Sequence, residues 1–385
     1  MNPLSTRSHV EPFRVMQMLD IIHQRKHRGL DTLMLCVGQP STGGPRPALE
    51  ATAKVLYSDP LGYTEIIGDL ELRETVAAWH REKYGVDTRQ DNVVITTGSS
   101  AAFVAAFLVY LEHGDNVALA CPGYPAYRAI LQSLGANIVD LRCTAETRFQ
   151  PTAAMLKALP AEQRPKLLIV TSPGNPTGTI IDPGELEKIA RWCEANGCVL
   201  LSDEDYHGIS FGRPTATARA FSDKAVVAGT LSKYFSMTGW RVGWLILPEE
   251  HVQRFSDLQG SLSLCPPAIS QKAAVGAFTP EAIAELDGHV ARYAQSREIL
   301  LEEFPAMGLD TFADPDGGLY LWTNIAHLTD DSEAFCRQLI DEIGVAFAPG
   351  VDFDPEQGKH WMRVSLCASV EDTREACRRL GEYLR

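Results

Sequence analysis

A lysine surrounded by hydroxyl groups and small residues is the side chain of this sequence best suited to covalent chemistry. Lys233 follows Thr230 and Ser232, and Arg241 comes eight residues after it. Most lysines are solvated surface residues, but this setting is atypical of them. A primary amine can form a Schiff base with a carbonyl group, and a guanidinium with hydroxyls can bind a phosphate. The segment therefore indicates covalent chemistry on a phosphorylated carbonyl compound.

Two other segments carry groups that could hold the phosphate and the flat part of such a compound. Ser99 and Ser100 follow an apolar segment and open an apolar helix, where hydroxyls and backbone N–H groups can bind an anion. An ordinary serine N-cap explains these two residues equally well. Tyr124 lies in a rigid turn with two prolines and could place its ring against a flat ligand, although most aromatic residues belong to the core.

Two further segments add an amide, a carboxylate and a phenol. Asn175 lies in residues 172–178, a loop whose two prolines and two glycines also fit an ordinary turn. Asp203 and Tyr206 follow another apolar segment, where a solvated acidic turn is the alternative interpretation. Taken together, all these groups are those needed to bind a phosphorylated pyridine aldehyde and to form a Schiff base with it.

The elements that carry these residues alternate between strands and helices. Short apolar, β-branched segments are mostly separated by stretches long enough for a helix, which predicts an α/β fold with a mostly parallel sheet covered on both faces. Only residues 228–241 separate the last two segments, so the last strand is predicted to be antiparallel. Ligands of such sheets bind beyond the carboxyl ends of the strands. The predicted strands are residues 93–96, 116–120, 166–170, 198–201, 225–227 and 242–247.

The pattern of the C-terminal part of the chain predicts a smaller α+β unit. Helices are predicted over residues 68–84, 101–113, 185–196 and 281–304, followed by a strand at 317–322, a helix near 332–343 and a final helix from Val370. The N-terminal forty-odd residues precede the first strand of the sheet and could join this unit. We therefore predict a large domain over residues 45–280 and a small domain formed by residues 1–44 and 281–385.

Composition excludes several classes of protein. The 385 residues suffice for two or three domains, and an apolar fraction of 45% is typical of globular proteins. With 49 acidic and 35 basic residues, the net charge of −14 argues against nucleic acid and anionic membranes as partners. Neither a signal peptide nor a membrane span is predicted. Nine scattered cysteines without a C-x-x-C pair indicate buried, reduced thiols and a cytoplasmic location.

Two other kinds of site are not predicted. His23 and His27 have helical metal-ligand spacing, but basic residues surround them and a third ligand is not evident, so a solvated helix face is favoured over zinc. A G-x-G-x-x-G motif does not follow any predicted strand, which argues against a dinucleotide-dependent dehydrogenase.

At the level of motifs, the chain resembles the pyridoxal-phosphate (PLP) aminotransferases of the type I fold, class I/II, in the aspartate aminotransferase superfamily. Residues 232–244 resemble the lysine segment of that family, residues 172–178 its S-P-x-N-P-T-G loop and residues 203–206 its D-E-x-Y turn. The resemblance covers about residues 35–370 in the expected order. It implies a large domain with a mostly parallel seven-stranded sheet flanked by helices, beside the smaller α+β domain. Further matches lie at residues 37–40, 62–64, 68, 72–73 and 363–365.

The resemblance also implies roles for the residues around the cofactor. Lys233 would form the internal aldimine with PLP. Asp203 would pair with the protonated ring nitrogen, because a neighbouring carboxylate favours that cation. Asn175 and Tyr206 would bind the phenolic oxygen of the ring, and Tyr124 would stack on the ring. The phosphate would be held by Ser99, Ser100, Thr230, Ser232 and Arg241.

Substrate binding and assembly are implied in the same way. Arg363 would bind the α-carboxylate of the substrate by a two-pronged contact, assisted by Gly38 and by Asn175. Tyr63 would reach the phosphate in the neighbouring subunit, so a homodimer with shared active sites is expected. The expected reaction moves an amino group between an L-amino acid and a 2-oxo acid by a ping-pong mechanism, with Lys233 transferring the α-proton. Such an enzyme would serve amino-acid metabolism or biosynthesis.

Alternatives to transamination stay open at this stage. A PLP-dependent C–S β-lyase or a cyclising synthase would need the same lysine, aspartate and phosphate site, and the intact residues 238–244 and 363–365 only favour transamination. A binding or regulatory protein with an inactive PLP domain is a third alternative, but the chain has neither a basic tail nor a gap in the implied site. The motifs do not identify the amino acid or the 2-oxo acid.

Substrate preference is expected to depend on residues outside the motifs. Asp354 stands where many relatives have glycine, and Ala101 where a longer polar residue is common, so both could reshape the substrate pocket. Loops such as residues 66–67 and 261–264 are expected to line its far side. The isoleucines at positions 66 and 67 favour an apolar substrate.

Overall fold

The structure, a computed structural model, describes residues 4–385, so the first three residues of the predicted segment 1–44 lie outside the described part. Its helices are α1 (Arg14–His27), α2 (Arg46–Ser58), α3 (Leu70–Tyr84), α4 (Gly98–Tyr110), α5 (Pro125–Leu134), α6 (Ala153–Ala158), α7 (Pro183–Asn196), α8 (Glu249–Ser263), α9 (Ala268–Gly276), α10 (Pro280–Ala306), α11 (Ser332–Ile343) and α12 (Val370–Tyr383). Its strands are β1 (Leu33–Met34), β2 (Val93–Thr96), β3 (Asn116–Cys121), β4 (Asn137–Arg142), β5 (Leu167–Thr171), β6 (Val199–Asp203), β7 (Val226–Thr230), β8 (Gly243–Ile246), β9 (Phe312–Ala313), β10 (Tyr320–Asn324), β11 (Val345–Ala346), β12 (Ala348–Pro349) and β13 (Trp361–Ser365).

A seven-stranded sheet in the order β2-β8-β7-β6-β5-β3-β4 forms the centre of the molecule. Strands β3 to β7 pair in parallel, whereas β8 is antiparallel to both β2 and β7. The mostly parallel α/β sheet and its antiparallel strand are therefore confirmed. Strand β4 was not predicted, because it is an edge strand whose sequence, N-I-V-D-L-R, interrupts the apolar run with Asp140. Apolar residues of the sheet pack on both faces in two separate clusters.

Helix α4 begins earlier than predicted. It follows β2 with only Thr97 between the strand and the helix. It spans Gly98–Tyr110 rather than residues 101–113, and Gly98 has a φ of +73°. The two serines that resemble a cap are therefore inside the first helical turn, where their backbone N–H groups have no partner within the helix. The helix ends before Gly114, because the chain must turn there to enter β3.

Strands near both ends of the chain form two smaller sheets. An antiparallel sheet has the order β12-β13-β10-β9, and β1 pairs in parallel with β11 through Leu33 with Val345 and Met34 with Ala346. The pairing of β1 with β11 attaches the N-terminal segment to the C-terminal part of the chain. Of the nine cysteines, all are free and eight are buried. Within residues 4–385, we find no helix with the length and apolar character needed to cross a membrane.

Candidate active site

A cavity of about 400 Å³ lies at the carboxyl end of the central sheet, where the polar residues singled out in the sequence converge. Strands β6 and β7 and helix α4 supply one side of it, and the N-terminal segment and β13 supply another. Eleven of the thirteen predicted site residues line the cavity: Gly38, Ser99, Ser100, Tyr124, Asn175, Asp203, Tyr206, Ser232, Lys233, Arg241 and Arg363.

The lysine amine points into this cavity. Lys233 follows β7, and its Nζ donates a 2.8 Å hydrogen bond to the carbonyl oxygen of Gly38. The same Nζ lies 5.7 Å from the ring centroid of Tyr206. Among the described residues this half-buried amine has one hydrogen-bond acceptor, so it can turn toward a reacting group, and in its neutral form its lone pair can act as a nucleophile or take up a proton.

Asp203, the last residue of β6, places a carboxylate in the floor of the cavity. It is 3% exposed, accepts a hydrogen bond from the Tyr127 hydroxyl and accepts another at 3.0 Å from the backbone N–H of Asp205. Burial raises the pKa of the Asp203 carboxyl above its usual range, and these hydrogen bonds and the positive charge of Lys233 oppose the rise. A buried carboxylate of this kind favours a cationic partner beside it.

The first turn of α4 and Arg241 form a cradle for an anion. A Cβ atom at Gly98 would overlap the guanidinium of Arg241, and one at Gly243 would come within 2.6 Å of the Ser99 nitrogen. Arg241 is fixed by a 3.0 Å hydrogen bond to the carbonyl of Thr238 and a 3.4 Å contact with Ser232 Oγ. Only glycine allows the helix N-terminus and the guanidinium to approach each other this closely, and both attract negative charge.

Two predicted site residues do not line the cavity of the single chain. Thr230 lies behind Ser232, whose Oγ accepts its hydroxyl hydrogen bond at 3.0 Å, so Thr230 supports the anion cradle from outside. Tyr63 is 86% exposed and lies away from the cavity. Its predicted contact with a neighbouring subunit stays a prediction.

Arg363, on β13, is a buried guanidinium with a free donor. It is 3% exposed and donates to Asn175 Oδ1 at 2.9 Å and to the carbonyl of Cys36. Its central carbon lies 4.1 Å from the ring centroid of Tyr320 and 4.5 Å from that of Phe353. Its buried Nε has no hydrogen-bond partner within the described chain. A buried charged donor without a partner is costly, so the group is suited to bind an anionic ligand.

Several residues of the cavity were not recognised from the sequence. Tyr320 shares a 3.1 Å hydrogen bond with the Tyr206 hydroxyl, and a Cβ atom at Gly38 would overlap the Tyr320 hydroxyl. Asp205 accepts a 2.5 Å hydrogen bond from Ser99. The glycine pair before Tyr320 indicated only a strand, and the motif around Asp205 gave that position no role. Apolar side chains of α1 and the residue before it also line the cavity, without any motif: Phe13, Val15, Met16 and Leu19.

The expected specificity positions lie elsewhere. Within the described chain, Ile66, Ile67 and residues 261–264 are absent from the cavity lining, and so are Ala101 and Asp354. Ile66 instead packs close to Gly260, where an added Cβ would come within 2.9 Å of it. Their expected influence on substrate preference is not tested by the cavity of a single chain and stays a prediction.

The arrangement fits PLP, the cofactor that the motifs imply. The cradle at α4 and Arg241 matches a phosphate, and the buried Asp203 matches a ring nitrogen that carries a proton. Asn175 donates to Tyr206 Oη at 3.4 Å, so an amide and a phenol lie together where a phenolic oxygen would be bound. Arg363 lines the same cavity and provides a guanidinium for a substrate carboxylate.

Comparison with known proteins gives the family. The model of the family "Aminotransferase class I and II" matches residues 31–380. The valine–pyruvate aminotransferase of Mycobacterium tuberculosis is 45% identical over 99% of this chain and 98% of its own length. The (5-formylfuran-3-yl)methyl phosphate transaminase of Methanocaldococcus jannaschii is 31% identical over 97% of each chain.

Solved structures agree with this similarity. An aminotransferase from Mycobacterium tuberculosis superposes with a TM-score of 0.97 at 44% identity, covering 100% of this chain and 99% of that one. The aspartate aminotransferase of Thermus thermophilus with maleate gives a TM-score of 0.93 at 27% identity, covering 99% and 100%. The chain therefore belongs to the class I and II aminotransferases, PLP-dependent enzymes that transfer an amino group between an amino acid and a 2-oxo acid.

Proposed function

We propose that this aminotransferase moves the amino group between valine, or a similarly small aliphatic amino acid, and pyruvate. The apolar wall of the cavity carries the proposal: Val15, Met16 and Leu19 of α1 line it together with Val37. An aliphatic side chain gains free energy from contact with such a wall, whereas a carboxylate would lose its hydration there. The name of the relative that is 45% identical, valine–pyruvate aminotransferase, supports the same preference.

The charges in the cavity also support an aliphatic substrate. Among the described residues, its cationic lining consists of Lys233, Arg241 and Arg363. In this proposal the phosphate takes Arg241, the substrate α-carboxylate takes Arg363, and Lys233 handles the proton. This leaves the chain without a cation in the cavity for a second carboxylate, so aspartate and glutamate side chains would be bound without a charge partner.

We assign the following roles to the site. When bound, PLP supplies an aldehyde that links covalently to amines and a ring that withdraws electrons from the substrate α-carbon. The amine of Lys233 takes the α-proton and later returns it, and the hydrogen bond to Gly38 orients the amine. Asp203 stabilises positive charge in the cavity floor. The same site serves both half-reactions, so ping-pong kinetics are expected.

The remaining groups bind and orient. Arg363, Gly38 and Asn175 hold the substrate α-carboxylate, and Tyr206 holds the cofactor together with Asn175. Tyr124 packs against the flat face of the cofactor. Ser99, Ser100, Ser232 and Arg241 bind its phosphate, and Thr230 supports them through its hydrogen bond to Ser232 Oγ.

Assembly and location are part of the proposal. We assign a homodimer in which Tyr63 completes the phosphate site of the partner, and its 86% exposure in the single chain supports this assignment. Residues 45–280 form the large domain, and residues 1–44 with 281–385 form the small one, supported by the pairing of β1 with β11. The free cysteines support a cytoplasmic location.

The test is a set of half-reactions on the purified holoenzyme. The visible absorption of bound PLP is recorded after addition of L-valine, L-alanine, L-aspartate or L-arginine, followed by pyruvate or 2-oxoglutarate, and products are identified by chromatography. We expect kcat/KM for valine with pyruvate to exceed that for aspartate by at least about a hundredfold. Equal or greater efficiency with aspartate would overturn the aliphatic preference. With L-cystathionine added as a further amino acid, release of ammonia and pyruvate without formation of a new amino acid would instead indicate the lyase alternative.

A further inference from the structure

We propose that Arg142 and Asp354 form a clamp that positions the substrate-carboxylate site, although neither side chain lines the cavity. Arg142 ends β4 at the edge of the central sheet, and Asp354 follows β12 in the C-terminal part of the chain. Their Nη1 and Oδ1 atoms lie 2.8 Å apart, with 7% of the Asp354 side chain exposed. This inference rests on the proposed role of Arg363 as the group that binds the carboxylate.

On one side, the clamp fixes the loop that carries Phe353. Asp354 Oδ1 also accepts hydrogen bonds from the backbone N–H groups of Glu356 at 2.9 Å and Gln357 at 3.0 Å. The carboxylate therefore closes the turn directly after Phe353. The Phe353 ring packs 4.5 Å from the guanidinium carbon of Arg363 and edge-on against another buried ring. Movement of this turn would change the wall against which the guanidinium rests.

On the other side, the clamp holds the turn that carries Tyr124. Arg142 Nη1 donates to Cys121 Sγ at 3.2 Å, and Cys121 begins this turn. Within the turn, the backbone N–H of Gly123 donates to the carbonyl of Phe353 at 3.0 Å. The clamp thus ties together the two walls of the cavity, one bearing the ring that faces the cofactor and one packed on Arg363.

The charge of Asp354 is preserved by its surroundings. Burial alone would raise the pKa of its carboxyl, but the two backbone N–H groups and Arg142 outweigh it and lower the pKa below its usual range. The carboxylate is therefore ionised across the working range of pH. Removing Arg142 would leave the buried Asp354 carboxylate without its cationic partner. Removing the charge of Asp354 would release Arg142 from the turn.

The test compares holoenzyme variants Asp354→Asn, Arg142→Gln and the double variant with the matched control Glu356→Gln. Glu356 pairs with the same arginine at 2.6 Å, but its side chain is 70% exposed and does not hold the turn. Binding of isovalerate, a non-reacting monocarboxylate, is measured by calorimetry. KM and kcat are measured with the amino acid that the wild-type enzyme uses best, and Tm reports folding.

We expect both single variants to raise the isovalerate Kd and KM by about tenfold with kcat within about twofold, because the carboxylate site shifts while the chemistry is unchanged. The double variant is expected to have the same Kd and KM as the single variants, since each single substitution already removes the same interaction between Arg142 and Asp354. Glu356→Gln is expected to match the wild type. If Asp354→Asn does not fold, Arg142→Gln carries the same expectation.

Folded variants with wild-type Kd and KM would overturn the proposal, as would a loss of kcat alone or an equal effect of Glu356→Gln. If the valine assignment is wrong, the wild-type enzyme itself will prefer another amino acid. Failure of the clamp appears only in the ratio of the Kd and KM of each variant to those of the wild type. The two failures are therefore distinguishable.

Discussion

The Nζ atom of Lys233 lies 2.8 Å from the carbonyl oxygen of Gly38, which is 195 positions away in the sequence. Gly38 in turn leaves no room for a Cβ, because the Tyr320 hydroxyl occupies that space. The amine on the central sheet, the N-terminal segment and the smaller antiparallel sheet therefore meet at one point. Proper folding of the two ends of the chain is a condition for orienting the amine.

Replacing the lysine tests the centre of the proposed chemistry. Lys233→Ala is expected to lower kcat by at least about a thousandfold, since it removes the group that moves the α-proton. The absorption of added PLP should no longer be that of a protein-linked cofactor. Lys188→Ala, at an exposed lysine of α7, serves as the control and should retain full turnover. Full turnover of Lys233→Ala would exclude the assigned role.

The carboxylate site can be tested by keeping its charge and changing its shape. Arg363→Lys should raise KM for every α-amino acid by roughly ten- to a hundredfold, because a lysine cannot replace a buried guanidinium that also donates to Asn175 and Cys36. Steady-state kinetics with several amino acids would show it. Arg297→Lys, away from the cavity, should leave KM unchanged. An effect restricted to one amino acid would instead place Arg363 at the side chain of the substrate.

The exposed Tyr63 offers a test of the shared active site. Tyr63→Phe is expected to weaken PLP binding by roughly ten- to a hundredfold, the usual value of one hydrogen bond to a charged group. Tyr57→Phe removes a hydroxyl from a tyrosine that is 93% exposed and is the matched control. The test measures the PLP Kd of each variant and the molar mass of the enzyme in solution. A monomeric enzyme with full activity would contradict the assignment.

Much of the fold could be predicted because apolar periodicity reports local structure. The parallel strands, the antiparallel β8 and most of the cavity lining follow from short segments of sequence. Strand β4 and the role of Tyr320 could not be predicted in this way. Tyr320 is brought to Tyr206 by folding of parts of the chain that are 114 residues apart, and local pattern carries no information about such contacts. The apolar wall from α1 was missed for the same reason.

The hydroxyl of Tyr127 is expected to influence the pH dependence of activity. It donates to Asp203, and this hydrogen bond lowers the pKa of a carboxyl that burial raises. Tyr127→Phe should raise the pKa of Asp203 further. As the pH is lowered, the ionised carboxylate that activity needs is then lost at a higher pH than in the wild type. We expect the acid limb of the kcat profile to move to higher pH and kcat below the limb to fall about tenfold. Tyr110→Phe, whose hydroxyl contacts His251, is the control.

An unchanged acid limb in Tyr127→Phe would show that Asp203 does not control activity in this range. A uniform loss of kcat at every pH would have the same meaning, because a change in the ionisation of one group must depend on pH.

Glu204 should make the stability of the protein depend on pH. Burial raises the pKa of its carboxyl to about 8, although hydrogen bonds from Ser202 and Ala218 favour the charged form. Between the ordinary glutamate pKa and about 8, the folded protein keeps a proton that the unfolded chain releases. Stability contributed by this group is therefore complete at low pH and is lost as pH rises through that window.

Glu204→Gln imitates the protonated acid and cannot titrate, so its Tm should equal that of the wild type near pH 5. At pH 8 to 9 we expect it to exceed the wild type by roughly 2 °C or more. Differential scanning calorimetry across this range, on the holoenzyme, measures both. Glu298→Gln, at an exposed position of α10, should follow the wild-type curve. A Glu204→Gln curve that stays parallel to the wild type at all pH values would mean that Glu204 is ionised in the folded protein, and its carboxylate would then need a buried cationic partner.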